Sequence, residues 1–339
     1  MNDNIEDEAE VLKNLSNFSA GFMETQVLYA TAKLGIAEYL SDGPKSTERL
    51  ANILKADSAA LYRLLRAAES MGLFAEPRPG IFALTSLGEY LKKNAPGGIY
   101  NQILMNAELF YDLWGELIHT IKTGRSADQK VYGMTFFEYI QQHPEKAELF
   151  NEEMTNFIST MAPAVVANYD FSYFRQIVDI GGGHGTLMEA ILRANLRASG
   201  IIFDLPVTVE GAMNRFRKIG LHNRCKFVGG DFFESLPAGD CMILSAIISD
   251  WNDEQSVCIL SNCRRVIEPA GRLLLLERLV IPEEPAPPTA FLDLAMLLTG
   301  GGTGRSEEEY RKLLADSGFE LIRVMPTGTQ RRIFEAKPI

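Results

Sequence analysis

The segment Gln176–Gly185 reads QIVDIGGGHG and carries the strongest indication of fold in this chain. Its apolar side chains Ile177, Val178 and Ile180 predict a short buried strand. The glycines at 181, 183 and 185 allow a tight turn and a close approach of the backbone to a ligand. Residues 186–194 then predict a helix. A strand, a glycine-rich turn and a helix in this order indicate a loop that binds a nucleotide cofactor.

The glycine spacing indicates which cofactor fits. A dinucleotide-binding loop has a third glycine three residues after the second, but here that position is Thr186. We therefore favour S-adenosylmethionine over NAD, because S-adenosylmethionine has no pyrophosphate to place at a helix N-terminus. Its ribose needs an acceptor, and Asp204 ends the apolar segment GIIFD about 20 residues further on. A purely structural glycine turn is the alternative interpretation.

Length and composition predict about two domains, since the chain has 339 residues and 46% hydrophobic content. The segment Asn94–Gly98, NAPGG, interrupts the periodic pattern. Before it, helical patterns cover 25–40, 46–54 and 58–71, with Ser46 and Asp57 or Ser58 as N-caps. Two short strands around Pro77–Pro79 follow, and this order predicts a winged-helix module.

The charge of the chain argues against nucleic acid as its main partner. Net charge is −11, and residues 21–98 hold nine Lys and Arg against eight Asp and Glu, which leaves little positive field for phosphate. The winged-helix module is therefore predicted to serve packing or dimerisation.

Residues 1–7 lack a secretory signal, and no apolar segment nears the roughly 20 residues that a bilayer requires. We expect a cytoplasmic protein, and four cysteines without CxxC spacing predict neither disulfides nor zinc.

The second half of the chain alternates strands with helices. Strands are predicted at 176–181, 200–204, 225–229, 240–247, 271–280, 320–326 and 332–337, with a helix near 306–317. This alternation predicts a doubly wound, mostly parallel seven-stranded α/β sheet. Residues 100–170 predict helices, with Met and aromatic residues at helical spacing over 136–140 and 150–161. Those side chains form core, or part of them lines an apolar ligand pocket.

Several polar residues follow the predicted strand ends. Gly181, Asp204, Asp231 and the segment Ser245–Asp250 all lie at or just after those ends. Ligands bind doubly wound sheets beyond the carboxyl ends of the strands, so we expect these residues to converge on one crevice.

At these positions the chain resembles the small-molecule O-methyltransferases of plant and bacterial natural-product pathways, over nearly its whole length. The motifs are VDIGGGHG at 178–185, FDLP at 203–206, GDFF at 230–233, DWNDE at 250–254 and PAGRL at 269–273. The resemblance implies a homodimer in which a mainly α winged-helix dimerisation domain (1–98) precedes a helical, substrate-covering region (99–170). A Rossmann-like class I methyltransferase domain (171–339) would bind S-adenosylmethionine.

The resemblance also implies roles for individual residues. Gly181 and Gly183 would approach the methionine portion of the cofactor, Asp204 and Leu205 its ribose, and Asp231, Phe232 and Trp251 its adenine. Ser245 stands where many relatives have a lysine that contacts the cofactor. Phe150, Met154, Phe157 and Met296 would line the substrate pocket.

Two catalytic positions depart from the family pattern. Ser249 stands where the family usually has a histidine general base, and Gly304 replaces the glutamate that orients that histidine. Glu277 still matches the other family carboxylate. The catalytic candidates are therefore Asp250, Glu277 and Ser249. Asp250 can act as a base only if burial raises its pKa, and capping the helix that starts near Asn252 is its alternative role.

Methyl transfer is an in-line displacement, so alignment and exclusion of water can supply much of its acceleration. We therefore predict O-methylation of a small aromatic or polyketide-like secondary metabolite without a histidine base. One alternative is methylation of carbon or nitrogen. Another is an enzyme that binds S-adenosylmethionine but catalyses hydroxylation, decarboxylation or cyclisation, and a third is a DNA-binding regulator.

Overall fold

A computed structural model of the protein describes residues 8–281 and 287–339. The segment Met1–Asp7, on which the absence of a secretory signal was argued, lies outside these residues. The chain forms two compact units, one ending at Tyr111 and the other running from Asp112 to Ile339.

The first unit is mainly helical and holds a small sheet with strand order β1-β3-β2. Its helices are α1 (Glu8–Lys33), α2 (Ile36–Leu40), α3 (Thr47–Leu54), α4 (Ser58–Ser70) and α5 (Tyr100–Met105). Its strands are β1 (Lys45–Ser46), β2 (Phe74–Arg78) and β3 (Ile81–Leu84), with a 3₁₀ turn at Gly88–Leu91 and a π-helical turn at Asn106–Phe110.

Local sequence explains where these helices begin. Ser46 accepts a hydrogen bond from Arg49 N and Asp57 accepts one from Ala60 N, which confirms both as N-caps. The single helix predicted over 25–40 is wrong. The chain turns at Gly35, whose φ of 64° lies in the left-handed region, so α1 and α2 are separate helices.

The second unit contains a seven-stranded sheet with strand order β6-β5-β4-β7-β8-β10-β9. The strands are β4 (Gln176–Ile180), β5 (Ser199–Asp204), β6 (Cys225–Gly229), β7 (Gly239–Ser245), β8 (Ile267–Arg278), β9 (Phe319–Pro326) and β10 (Arg331–Pro338). Strands β4 to β8 pair in parallel, and β10 pairs antiparallel to both β8 and β9. This sheet confirms the predicted fold class. β7 ends two residues before its predicted end, because Ala246 turns the chain with a φ of 58°.

The remaining helices connect the strands or precede the sheet. They are α6 (Tyr111–Gly115), α7 (Leu117–Thr123), α8 (Asp128–Tyr132), α9 (Phe136–Gln142), α10 (Pro144–Asn168), α11 (Thr186–Ala194), α12 (Pro206–Lys218), α13 (Asp253–Val266), α14 (Pro287–Gly300) and α15 (Glu307–Asp316). Short 3₁₀ turns lie at His222–Arg224 and Ile248–Asp250. None of the described helices combines the length and apolar composition needed to cross a bilayer.

Apolar residues fill a core on each side of the sheet. Along β4, Ile177 contributes to one cluster, which includes Met161 and Val165 of α10, while Val178 and Ile180 contribute to the other. This alternation follows from the two-residue period of a strand, and helices must cover both faces. The carboxyl ends of β4, β5 and β7 are thereby held side by side at one edge.

Candidate active site

A cavity of about 430 Å³ opens at the carboxyl ends of β4, β5 and β7. This volume is in the range of small-molecule sites, roughly 300–1,000 Å³. Most residues predicted from the sequence line it, namely Phe150, Met154, Phe157, Gly181, Gly183, Asp204, Leu205, Asp231, Phe232, Ser245, Asp250 and Trp251. Ser249, Glu277 and Met296 are not among its lining residues. The convergence expected from the strand ends is therefore present, apart from those three side chains.

The glycine turn after β4 is fixed by backbone hydrogen bonds. The amides of Gly181 and Gly182 both donate to Phe203 O, at 2.8 and 3.3 Å. Gly181 has a φ of 68°, and an added Cβ would lie 2.3 Å from Ile247 Cδ1. At Gly183, with a φ of 54°, the corresponding space is empty for 4 Å. The positive φ favours glycine at both positions, Ile247 lies close to Gly181, and Gly183 leaves bare backbone facing the cavity.

Asp204 is held by backbone amides from the turns that follow β4 and β5. Its Oδ2 accepts from Gly183 N at 2.8 Å and its Oδ1 accepts from Leu205 N at 2.7 Å. Burial raises the pKa of Asp204, while hydrogen bonds from Gly183, Leu205 and Thr208 oppose that rise. A carboxylate has about four acceptor sites, so the oriented group retains capacity for a ligand hydroxyl.

Three buried polar atoms that line the cavity have no hydrogen-bond partner: Asp179 Oδ2, Thr186 Oγ1 and Ser245 Oγ. Asp179 is 2% exposed, and burial, followed by the charge of Asp204, raises its pKa to about 7. Buried polar groups are normally hydrogen-bonded, so these atoms indicate a ligand with donors and positive charge. A sulfonium cofactor with an ammonium group fits them. Our sequence reasoning missed Asp179, although it is the last polar residue before the glycine turn.

An aromatic wall forms another side of the cavity. Phe137 stacks on Trp251 with ring centroids 5.7 Å apart and an interplanar angle of 23°. Phe232 and Phe233 lie nearly perpendicular to the same indole, with ring centroids 5.7 and 4.9 Å from it. Rings arranged in this way offer flat apolar surface to a planar ligand. Phe150, Met154 and Phe157 of α10 face the cavity as well, and we call the part that they line the acceptor chamber.

Glu277 holds the turn that follows β7 and does not line the cavity. The fully buried carboxylate accepts from Ile247 N at 3.0 Å and from Ile248 N at 2.9 Å through Oε1. Burial raises the pKa of Glu277, an effect that the guanidinium of Arg331 and a hydrogen bond with Ser249 oppose. Ser249 is therefore engaged with Glu277.

Asp250 lines the cavity directly after this turn. Burial, followed by the charge of Glu277, raises the pKa of Asp250 to about 8, and Arg331 acts in the opposite direction. The alternative role of Asp250 as a helix cap is wrong. Asn252 caps α13, because its side chain accepts a hydrogen bond from Gln255 N at 2.9 Å. In return, Asn252 N donates to the side-chain oxygen of Gln255 at 3.4 Å.

Arg305 clamps the same turn from its other side, and the sequence analysis assigned it no role. The side chain is 2% exposed and donates to Ile248 O and Trp251 O, each at 2.9 Å, and to Asp253 Oδ1 at 2.8 Å. Gly302 packs so closely that an added Cβ would lie 2.3 Å from Ser249 O. The glycine-rich sequence GGGTGR at 300–305 was the available signal for this contact.

Gly304, where the resemblance implied a glutamate, is closely packed. A Cβ at this position would lie 2.6 Å from Val280 Cγ2, and the Gly304 amide donates to Asp293 Oδ1 at 2.6 Å. The local packing therefore has no room for a side chain at 304.

Within the described residues, no cluster of three or more His, Cys, Asp or Glu could hold a metal ion.

The sheet, the glycine turn and the oriented Asp204 define a Rossmann-like enzyme that uses S-adenosylmethionine. Residues 114–320 match the family described as an O-methyltransferase domain, and residues 16–94 match the O-methyltransferase dimerisation domain. The chain belongs to the S-adenosylmethionine-dependent O-methyltransferase family.

Individual relatives agree with this assignment. The chain is 43% identical to a phenazine O-methyltransferase of Lysobacter antibioticus over 94% of each chain. It is similar to the structure of a mitomycin 7-O-methyltransferase, with a TM-score of 0.93, 32% identity and 98% of each chain covered. A neocarzinostatin-pathway O-methyltransferase was solved with S-adenosylmethionine and 2-hydroxy-5-methyl naphthoic acid. It has a TM-score of 0.85 and 30% identity, with 93% of this chain and 96% of that chain covered.

These matches confirm the predicted family, the enzyme class and the cofactor. The protein is an S-adenosylmethionine-dependent O-methyltransferase.

Proposed function

We propose that the enzyme methylates a hydroxyl group on a small, flat, aromatic or polyketide-like secondary metabolite, with Asp250 as the proton acceptor. The observation that carries this proposal is the position of Asp250 on the cavity wall together with its pKa of about 8. The phenazine, mitomycin and naphthoic acid in the names of the relatives are compounds of this class, which supports the proposal.

The cofactor supplies an activated methyl group and a sulfonium charge that disperses during transfer. We assign its ribose to Asp204 and Leu205 and its adenine to Asp231, Phe232 and Trp251. The methionine portion would lie against the backbone of Gly181 and Gly183. The unpartnered Asp179 Oδ2 and Ser245 Oγ support this end of the assignment, because a carboxylate and a hydroxyl match an ammonium group and a carboxylate.

The acceptor would lie in the acceptor chamber against Phe150, Met154 and Phe157. Aromatic and methionine side chains adapt to flat apolar molecules and exclude water. Exclusion of water and alignment of the acceptor oxygen with the methyl group would supply much of the acceleration. We assign no direct contact to Met296, which lies on α14 and is not among the residues that line the cavity.

Asp250 would take the proton that the acceptor hydroxyl loses as its oxygen bonds to the methyl group. A phenol has a pKa of about 10, so an ordinary aspartate at about 3.9 is a poor base for it. With its pKa raised to about 8, Asp250 is a closer match. The role of the missing histidine would therefore pass to the next residue in the chain. Ser249 and Glu277 would support the turn.

The test is the pH dependence of kcat/KM for the wild type and Asp250→Asn. We expect the wild-type rate to rise with pH through a midpoint near 8, because the base must be ionised. The variant should lose about 10²- to 10⁴-fold in kcat/KM, and its kcat/KM should no longer rise with pH through this midpoint. Asp316→Asn, on the exposed end of α15, is the matched control. A variant with wild-type rate and profile would show that the acceptor arrives already ionised.

We also propose that the protein is a homodimer joined through α1. Four exposed apolar side chains, Val11, Leu15, Phe18 and Phe22, follow one another at the spacing 4, 3, 4. This spacing places them on one helix stripe of the kind that packs against a second helix. The match of residues 16–94 to a dimerisation domain supports a second copy as the occupant. Residues 1–98 would then serve dimerisation, 99–170 would cover the substrate and 171–339 would bind the cofactor.

A further inference from the structure

Arg331 is a buried arginine at the start of β10, with 7% of its surface exposed. Its Nη1 donates to Leu276 O at 2.9 Å and lies 3.4 Å from Glu277 Oε2. Within the described residues, Arg331 is the cation that pairs with the fully buried Glu277 carboxylate, and an uncompensated buried charge is costly. Arg331 therefore stabilises the residue that holds the turn before Asp250.

The same guanidinium contacts the acceptor chamber. Its central carbon lies 4.9 Å from the ring centroid of Phe157, which lines the cavity. A cation over an aromatic face at this distance is attracted to the ring. Arg331 thus contacts both Phe157, on the wall of the acceptor chamber, and Glu277, whose carboxylate holds the turn before Asp250.

The charged groups around Asp250 come from several elements. Glu277 of β8 raises the pKa of Asp250 and Arg331 of β10 lowers it. On the α15 side, Arg305 contacts the turn but is paired with Asp253, and Tyr310 is buried near Glu277. Of the described strand residues, Arg331 is therefore the cation that lowers the pKa of Asp250.

We propose that Arg331 is a positioning residue, which acts through Glu277 on the turn that presents Asp250 and through Phe157 on the wall of the acceptor chamber. This inference rests on the proposed role of Asp250. The two routes have separable consequences. Loss of the charge alters the proton affinity of Asp250, and loss of the stacking alters acceptor binding.

The first measurement is direct titration of Asp250 by NMR of protein labelled with ¹³C-aspartate, with the signal assigned by its absence in Asp250→Asn. Removing the positive charge in Arg331→Met should move the midpoint of Asp250 to higher pH, and Arg331→Lys should return it towards the wild type. Each unit of upward shift lowers the ionised fraction at pH 7 about tenfold, so kcat/KM at that pH should fall in proportion. An unchanged midpoint in Arg331→Met would overturn the electrostatic route.

The second measurement is the KM for the acceptor in Phe157→Leu, which removes the ring and keeps the charge. We expect a higher KM with an unmoved Asp250 midpoint, whereas Arg331→Met should change both. Arg323→Met is the matched control. Arg323 lies on the neighbouring strand β9 and pairs at 2.6 Å with the buried Glu335 of β10. Equal losses in Arg331→Met and Arg331→Lys at every pH would reduce Arg331 to a structural role.

The titration also separates this inference from the proposed base. If Asp250→Asn kept its activity but Arg331→Met still shifted the Asp250 midpoint, the base assignment would fail and the electrostatic coupling would stand. If Asp250→Asn lost activity and the midpoint did not move, the base would stand and Arg331 would not position it.

Discussion

Asp204 shows how one side chain can serve both the fold and the ligand. Its two oxygens accept from the amides of Gly183 and Leu205, so the backbone turns after β4 and β5 are tied together. The same bonds orient the carboxylate towards the cavity. A residue predicted from sequence as a ribose acceptor is therefore also part of the structure that shapes the glycine turn.

The first residue-scale prediction concerns Asp204→Ala. We expect binding of S-adenosylhomocysteine to weaken by about 1.5–3 kcal/mol, since hydrogen bonds to a charged group are lost. Isothermal calorimetry measures the affinity, and the unfolding midpoint shows whether the turn survives. Asp170→Ala is a suitable control, because this exposed carboxylate accepts local hydrogen bonds from Ser172. Unchanged affinity would exclude Asp204 from the cofactor site.

The second residue-scale prediction concerns Asp179 and the stability of the cofactor-free protein. Burial raises the pKa of Asp179 to about 7, above the ordinary value of about 3.9. Between these values the folded protein binds a proton that the unfolded chain has released, so stability should fall as pH rises across the window.

Asp179→Asn should flatten this decline, because the amide stays neutral at every pH. Urea unfolding between pH 4.5 and 8 measures the effect. Asp250, with a pKa raised to about 8, contributes a decline of the same sign and remains in both proteins. Parallel stability curves for the variant and the wild type would show that Asp179 is ionised in the folded protein.

At the scale of elements, the turn between β7 and α13 is set by contacts from outside itself. Glu277 holds the amides of Ile247 and Ile248, and Arg305 holds the carbonyls of Ile248 and Trp251. Gly302 packs against the backbone of Ser249 and Asp250. The position of Asp250 is therefore decided jointly by β8 and by the segment before α15.

The element-scale prediction concerns Gly302→Ala. A Cβ would lie 2.3 Å from Ser249 O and 2.6 Å from Asp250 C, so the turn or the glycine segment must move. Overpacking of this kind costs about 1–3 kcal/mol of stability, and here kcat should also fall. Thermal unfolding and steady-state rates measure both. Gly115→Ala has open space around its Cβ and is the control. Full activity in Gly302→Ala would show that the turn tolerates displacement.

At the scale of the whole molecule, a monomer leaves the apolar stripe of α1 exposed to solvent. Phe18 is 80% exposed, and Leu15 and Phe22 are 59% and 57% exposed. Contiguous apolar surface of this kind usually marks an interface. A second copy of the chain would bury the stripe, which gives the dimerisation domain a specific helix to act through.

The corresponding prediction is that Leu15→Asp combined with Phe18→Asp yields a monomer. Charges within a buried helix pair are costly without partners, so association should be lost. Sedimentation velocity measures the mass of the variant and the wild type. Leu196→Asp changes an apolar residue that is 81% exposed in the other unit and should sediment as the wild type does. A dimeric double variant would place the interface elsewhere.

The sequence alone predicted the strands and helices of the second half of the chain, the fold class and the cofactor, because these depend on local patterns. Alternating apolar residues indicated the strands, and glycine spacing with Asp204 indicated the ligand. Local patterns predicted less well where a helix or strand ends or is interrupted. The left-handed turns at Gly35 and Ala246 interrupt segments whose composition would have continued, since a single backbone conformation leaves little trace in hydrophobic periodicity.

Tertiary structure decided the surroundings of the proposed catalytic residue. Asp179 and Arg305 lie in or beside glycine-rich segments, and Arg331 follows no motif, but the role of each depends on contacts with residues distant in sequence. The raised pKa of Asp250 depends on burial and on Glu277 and Arg331, which only the folded sheet brings near it. Proton affinity is a property of the surroundings in space. The order of amino acids therefore determined the kind of enzyme, and the packing of β8 and β10 set the surroundings of Asp250, the carboxylate that we propose as the proton acceptor.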